Sequence, residues 1–482
     1  MRTARYLVAA SGLALGCGTQ IAETTYLPPA DRMGLDAAVM PKEPPTCGPT
    51  LKERLTVTRV DVDSDVRYKR AAFGGTVRDE RLAMDVQASG AAQVAWLDAS
   101  LSGVHVTPLT PDQTRAGPDT TIPGFDLGGI VAHDDGFAVL TRRNDPGDPI
   151  GDLPDAGPVA PAAFLVRVRK GQEAFAAPLT GTRNITDDPP EGRRDCSTGL
   201  FGRLAFNGRV YGSYFVAHGC KGDWVDGRDG DKLVYADTSG AFVRGGWTWR
   251  CSRNLGLRLL PETGAFTSLC ISDELPQPGV NVVVSGQPSR LLAREYTTPG
   301  YSSAEFGSVV KLADGRYFVA WASRGVRETT PGVFDVAMDT HDVGFVVLTK
   351  DYVPQFRPTW LMATPNVDET NLHVAPYGPD RVLLVWDAVT APKCNDGVCL
   401  GTFGGTHARL FHLDGTPASA EEVIDATPNE GDDIAAFPDG DLGWAYVDAP
   451  RDDVAVVDPA SGGGNLTPVR QISIARFAYC TN

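Results

Sequence analysis

Lysine is scarce in this chain: 9 of the 44 basic residues are lysine and the other 35 are arginine. Positive charge as a whole falls short, because 60 Asp and Glu leave a formal net charge of −16 over 482 residues. A chain of that sign is a poor electrostatic match for nucleic-acid phosphates, and it offers no polybasic face to anionic lipid. Histidine is thin, with seven scattered copies at positions 105, 133, 218, 341, 373, 407 and 412. There is no HExxH, no GxSxG nucleophile turn and no GxxxxGK[ST] phosphate loop, so metalloprotease, α/β-hydrolase and P-loop chemistry have no motif to stand on. The absence of any CxxC pair turns the nine cysteines away from zinc. Beyond the N-terminus no stretch of about 18 uninterrupted apolar residues occurs, which excludes a later membrane-spanning helix.

What is present begins with an address. Arg2 and Arg5 precede a mostly apolar run from Tyr6 to Leu15, too short to span a bilayer. The run ends in Leu13-Ala14-Leu15-Gly16-Cys17, which resembles the bacterial lipoprotein signal, although that family prefers a larger aliphatic residue at Ala14 and a small one at Leu15. The resemblance implies that residues 1–16 are removed, that Cys17 carries lipid, and that the protein sits in the cell envelope, on the outer membrane or the cell surface. Residues 17–50 hold Pro28, Pro29, Pro41, Pro44, Pro45 and Pro49 and read as a stiffened tether.

From Leu55 the pattern is short β-branched and aromatic runs punctuated by Gly, Asp, Asn and Pro, an all-β pattern. A hairpin recurs seven times, over 86–98, 131–142, 204–215, 259–270, 310–321, 374–387 and 435–448. Four copies turn on Asp135-Gly136, Asn207-Gly208, Asp314-Gly315 and Asp439-Gly440, pairs that accept the positive φ of tight hairpins. The intervals suit four-stranded units, so residues 51–482 are expected to form a seven-bladed β-propeller. Gly128, Gly256 and Gly307, at matching places in the first strand, fit a crowded axis. Trp96, Tyr214, Trp321, Trp386 and Trp444, ending the second strand, read as packing between blades. The repeats, with lines such as Asp314-Gly315-Arg316-Tyr317-Phe318-Val319-Ala320-Trp321, resemble uncharacterised bacterial surface lipoproteins built as β-propellers. That resemblance implies fold and location and transfers no catalytic residue.

With Cys17 reserved for lipid, eight cysteines remain for an oxidising compartment. Cys394 and Cys399 flank a turn, and Cys196 and Cys220 lie almost symmetrically about Asn207-Gly208, so each pair is expected to bond. Cys251 and Cys270 pair by elimination, which leaves Cys47 with Cys480 to lock ring closure.

Ten residues before each turn stand Glu80, Asp126, Thr198, Asn254, Glu305, Glu369 and Glu430, a candidate carboxylate ring at the channel mouth. The run from Asp223 to Asp231, with Asp226 and Asp229, is a candidate metal loop whose hard oxygens point to calcium as the cofactor. Asp61, Asp63 and Asp65 alternate on one strand face and read as solvent-facing. Sialidase boxes and the Asp-rich phytase motif, two ways a propeller becomes an enzyme, are absent. The expectation is therefore a non-enzymatic binding module with a protein or glycan ligand and no nucleic acid. The alternative is a carbohydrate-active or metal-dependent hydrolase working at the channel mouth.

Overall fold

The computed structural model describes residues 47–449 and 469–480, apart from 69, 74–75, 80, 145–160, 180–193, 222–223, 253–256, 273–278, 285–289, 295–304, 331–332, 337, 339, 363 and 396–397. All seven repeat hairpins form, each as an antiparallel pair. Their turns work as the residue types require. Gly208, Gly315 and Gly440 take φ of 86°, 83° and 91°, where a Cβ would strain the backbone. The preceding Asn or Asp fastens the turn with its side chain: Asn207 Oδ1 accepts the Val210 N–H at 2.9 Å, and Asp314 Oδ1 accepts the Arg316 N–H at 3.0 Å.

Six four-stranded sheets are each drawn from one continuous stretch of chain. We term them blades 1 to 6. Their first strands are Leu82–Val86, Leu127–His133, Arg194–Phe206, Arg258–Glu262, Glu305–Lys311 and Val367–Tyr377. A further four-stranded sheet is composite. Ala435–Ala436, Leu442–Tyr446 and Val469–Phe477 come from the end of the chain, and Leu55–Val66 is added from its beginning. This closing sheet pairs Leu55 with Phe477 and runs on to Asp61 with Gln471. Two small hairpins, Arg70–Phe73 with Thr76–Asp79 and Val326–Thr330 with Val333–Val336, stand apart from the large sheets. Among the described residues no helix is long and apolar enough to cross a membrane.

The arrangement is an all-β propeller. First strands of neighbouring sheets touch one another from blade 1 through blade 6, and the closing sheet touches blade 1. Apolar residues between adjacent sheets form a cluster at each junction, from blades 1 and 2 round to the closing sheet and blade 1. Trp96, Tyr214, Trp321, Trp386 and Trp444 are all buried in these clusters, as expected for packing between blades. The axis is crowded: a Cβ on Gly307 would lie 2.7 Å from Leu372 of blade 6, and one on Gly128 would lie 2.6 Å from Leu140.

Residues 1–46 lie outside the described residues, and with them the expected signal peptide, Cys17 and most of the expected tether. Cys47, at the end of that expected tether, is part of the fold because it is disulfide-bonded to Cys480.

Candidate functional site

The first strands place their N-terminal ends together at one mouth of the ring, and most of them carry a β-bulge there. Register slips occur between Leu127 and Gly129, Gly199 and Gly202, Phe306 and Ser308, and Thr370 and His373. Just past those slips, Arg203, Ser308 and His373 stand opposite Tyr214, Ala320 and Val385, and Arg258 stands correspondingly opposite Leu269. Asp433, two residues ahead of the first strand of the closing sheet, meets them. Its carboxylate lies 3.4 Å from Arg203 Nε and 3.2 Å from Arg258 Nε, and accepts the Ser308 hydroxyl at 3.4 Å. One side chain from the closing sheet thus reaches blades 3, 4 and 5.

The charges here are packed closely. Arg81, Arg203 and Arg258 are 8 %, 8 % and 6 % exposed, yet the Asp433 side chain, deep among them, keeps 38 % of its surface accessible. Part of the Asp433 side chain is therefore accessible while the guanidinium groups beside it are covered. Arg81 donates from Nη2 to the Gly431 carbonyl, Arg203 from Nη1 to Gly202 at 3.0 Å, and Arg258 from Nη1 to Leu257 at 3.0 Å. Burial raises Asp433, but Arg203, Arg258 and His373 beside it outweigh burial and hold it below its ordinary value. Next to it, burial pushes Asp432 up to about 7, although Met84 N–H donates to it at 2.7 Å. Burial, with Arg203 alongside, pulls Arg81 well below the usual guanidinium range.

A second polar cluster lies between blades 5 and 6. Glu369 and Asp342 hydrogen-bond carboxyl to carboxyl. Burial first, and the pairing with Asp342 second, push Glu369 far above the usual carboxylate range, so that it serves as the proton donor. His341 Nδ1 lies 2.8 Å from Asp368 Oδ1. These four side chains are between 2 and 4 % exposed, which seals them from any large substrate.

The candidate carboxylate ring fares unevenly. Glu80 and Asn254 lie outside the described residues, and of Glu305 only the backbone is described. Asp126 pairs with Arg142 of its own blade at 3.5 Å, and Glu369 is spent on Asp342. Glu430 is half-buried on the segment that leads to Asp433. What the structure brings to the axis is a mixed group of arginine, aspartate, serine and histidine. Counting ten residues back from each turn runs across the bulges, and a bulge shifts the strand by one residue and turns the following side chains over. Sequence reading missed Arg203, Arg258 and Asp433, and no local signal marks them as neighbours.

The run expected as a calcium-binding loop is placed differently. Its residues lie in a strand, Trp224–Asp237, with Asp223 outside the described residues. Asp231 is fully buried and accepts the Tyr214 hydroxyl at 2.8 Å and the Trp247 indole N–H at 3.1 Å, so its carboxylate serves blade packing. Only the backbone of Asp226 and Asp229 is described. Among the described residues no group of three or more His, Cys, Asp or Glu is placed to hold a metal. Asp61, Asp63 and Asp65 do sit on the outer face, where Asp65 pairs with Arg470 at 2.6 Å.

Of the other cysteines, Cys270 is in a disulfide. Cys394 and Cys399 are direct register partners across the Arg381–Asn395 and Val398–His412 pair. Cys220 opposes Arg194, while Cys196 falls on a bulge between Asp195 and Ser197; with the slip between Gly199 and Gly202, the register about Asn207-Gly208 is shifted from the symmetric one.

No family model and no curated protein matches the chain closely. Solved structures similar to it include Kuenenia stuttgartiensis hydrazine synthase, 12 % identical over 74 % of this chain and 89 % of that one, with a TM-score of 0.40. A Dyadobacter fermentans protein of unknown function is 12 % identical over 88 % and 99 %, with a TM-score of 0.39. An endo-arabinase from Bacteroides thetaiotaomicron is 10 % identical over 52 % and 90 %, with a TM-score of 0.28.

Proposed function

We propose that this chain is a lipid-anchored, extracytoplasmic binding module, a seven-bladed propeller in which the composite closing sheet is the seventh blade. Cys17 would carry the lipid and residues 17–50 the tether, holding the propeller off the envelope surface. The ligand is a protein or glycan taken at the mouth lined by Arg203, Arg258, Ser308 and Asp433. The single observation that carries this reading is the solvent-reached Asp433 carboxylate among buried guanidinium groups, contacted from three blades. Polar groups converging in a recess on a rigid scaffold are what a recognition site requires. The test is retention of candidate glycans and proteins by wild type and by Ser308→Phe, which fills the recess. Binding lost in the variant supports the mouth as the site, and unchanged binding removes it. Anchoring is tested separately: Cys17→Ser is expected to move the protein from the membrane to the soluble fraction.

The second reading is a hydrolase. A raised carboxyl, Glu369, stands beside a carboxylate and the His341–Asp368 pair, the mixture of unlike groups that acid–base catalysis uses. Its burial argues against it, and turnover of glycosides or peptides that is lost in Glu369→Gln would favour it.

A further inference from the structure

We propose that the mouth is an oxyanion site, in which Arg203, Arg258 and Arg81 take a carboxylate or phosphate group of the ligand and Asp433 occupies their place when the site is empty. The inference rests on the reading of the mouth as the binding site and names the chemistry of what binds there.

Three observations carry it. First, guanidinium groups from two adjacent blades, Arg203 and Arg258, converge on one carboxylate, each Nε facing a different oxygen of Asp433. Among the described residues that is two positive charges to one firmly ionised acid. Arg81 brings a third guanidinium group, next to Asp432, which burial pushes up to about 7. Second, two of the arginines, Arg203 and Arg81, are incompletely satisfied. Among the described residues, Arg203, 8 % exposed, has no hydrogen-bond partner for its Nη2, and Arg81, also 8 % exposed, has none for its Nε. A buried donor without an acceptor is costly, and a charged one more so. An entering oxyanion supplies the acceptors. Third, Asp433 is the exposed member of the group: 38 % of its side chain is accessible while the arginines around it are covered. Displacing that one aspartate would expose the arginine edges to an entering ligand.

The guanidinium plane favours oxyanions that accept two parallel hydrogen bonds, which carboxylates and phosphates do and neutral hydroxyls do not. An acidic glycan and a phosphorylated molecule therefore share the recognising chemistry, and two probes separate them: galacturonate for the first and inorganic phosphate for the second, with galactose as the neutral control.

Binding of the three probes to the full chain is measured by calorimetry in a buffer free of competing anions. At least one of the anions is expected to bind, and Arg203→Gln is expected to weaken it by about tenfold or more. Asp433→Asn is the decisive variant. It removes the internal competitor, so anion affinity is expected to rise several-fold, a gain that misfolding cannot produce. Unchanged or weaker anion binding in Asp433→Asn overturns the proposal, as does failure of wild type to bind either anion. If galactose binds at the mouth while neither anion does, the oxyanion proposal falls and the binding-module reading stands. If neutral and anionic ligands are retained equally by wild type and Ser308→Phe, the mouth itself is the wrong site and both fall.

Discussion

Cys47 is disulfide-bonded to Cys480, 433 residues away, with 5.7 Å between their Cα atoms. The bond lies beside the closing sheet, where Leu55–Val66 completes a sheet begun by the last strands of the chain. The N-terminal end is fastened further to blade 6: Leu51 and Lys52 donate backbone N–H groups to the Glu422 carboxylate at 2.8 and 3.0 Å. Ring closure therefore combines a covalent link, a strand pair and side-chain anchors.

Cutting that link is expected to matter more than cutting any hairpin disulfide. In the chain-entropy model a loop longer than 100 residues contributes roughly 5 kcal/mol, less whatever structure the unfolded chain retains. Cys47→Ser should lower the melting temperature clearly more than Cys394→Ser, whose loop would be short. Differential scanning calorimetry of the two variants checks this, and equal shifts would refute it.

Tyr377 is the polar hub of the same junction. Its hydroxyl accepts from Arg54 Nη1 at 3.0 Å and from the Cys480 N–H at 3.0 Å, and donates to the Ala478 carbonyl at 3.1 Å. Tyr377→Phe leaves the ring packing in place and strands a buried guanidinium donor. The expected cost is about 1–3 kcal/mol, read from denaturant midpoints, with proteolysis at the chain ends increased.

The blade 5–blade 6 acid pair predicts a pH dependence. Glu369 has its folded pKa raised by burial and by Asp342, so the folded state holds a proton that the unfolded state releases. Its contribution is fully present below the unfolded carboxylate pKa and is lost as pH rises through the folded value. Asp85, pushed by burial up to about 6 despite two backbone N–H bonds, adds loss between about pH 4 and 6 in the same sense. His133 opposes it: burial lowers its folded pKa to about 4, so its contribution is lost as pH falls from about 6.5 towards 4. Wild type should lose melting temperature on the alkaline side faster than Glu369→Gln, and parallel pH profiles would sink the assignment.

Packing at the axis is testable with one methyl group. Gly307→Ala places a Cβ 2.7 Å from Leu372 and 3.2 Å from the Ala320 carbonyl oxygen. Overpacking of this kind costs about 1–3 kcal/mol. Gly264→Ala meets nothing within 4 Å, so there only its φ of 75° opposes the change. The two variants compared by chemical denaturation separate crowding from backbone strain.

The hairpins, their turns and the aromatic residues between blades were legible from the sequence because each depends on residues a few positions apart. Asn207-Gly208 makes a tight turn wherever it is placed, and a Trp ending an apolar strand seeks burial. The Cys47–Cys480 link was also within reach, since a ring of repeats has to bring its ends together. The site was not. Arg203, Arg258, Ser308 and Asp433 span about half the chain, and nothing local marks them as neighbours. Small bulges in the first strands, invisible to counting from the turns, decide which side chains face the axis. Composition and repeat spacing determined the class of fold; only the closed ring decided that, among the described residues, Arg203, Arg258, Ser308 and Asp433 would meet, because charge at the axis is set by which residues from distant blades share one layer.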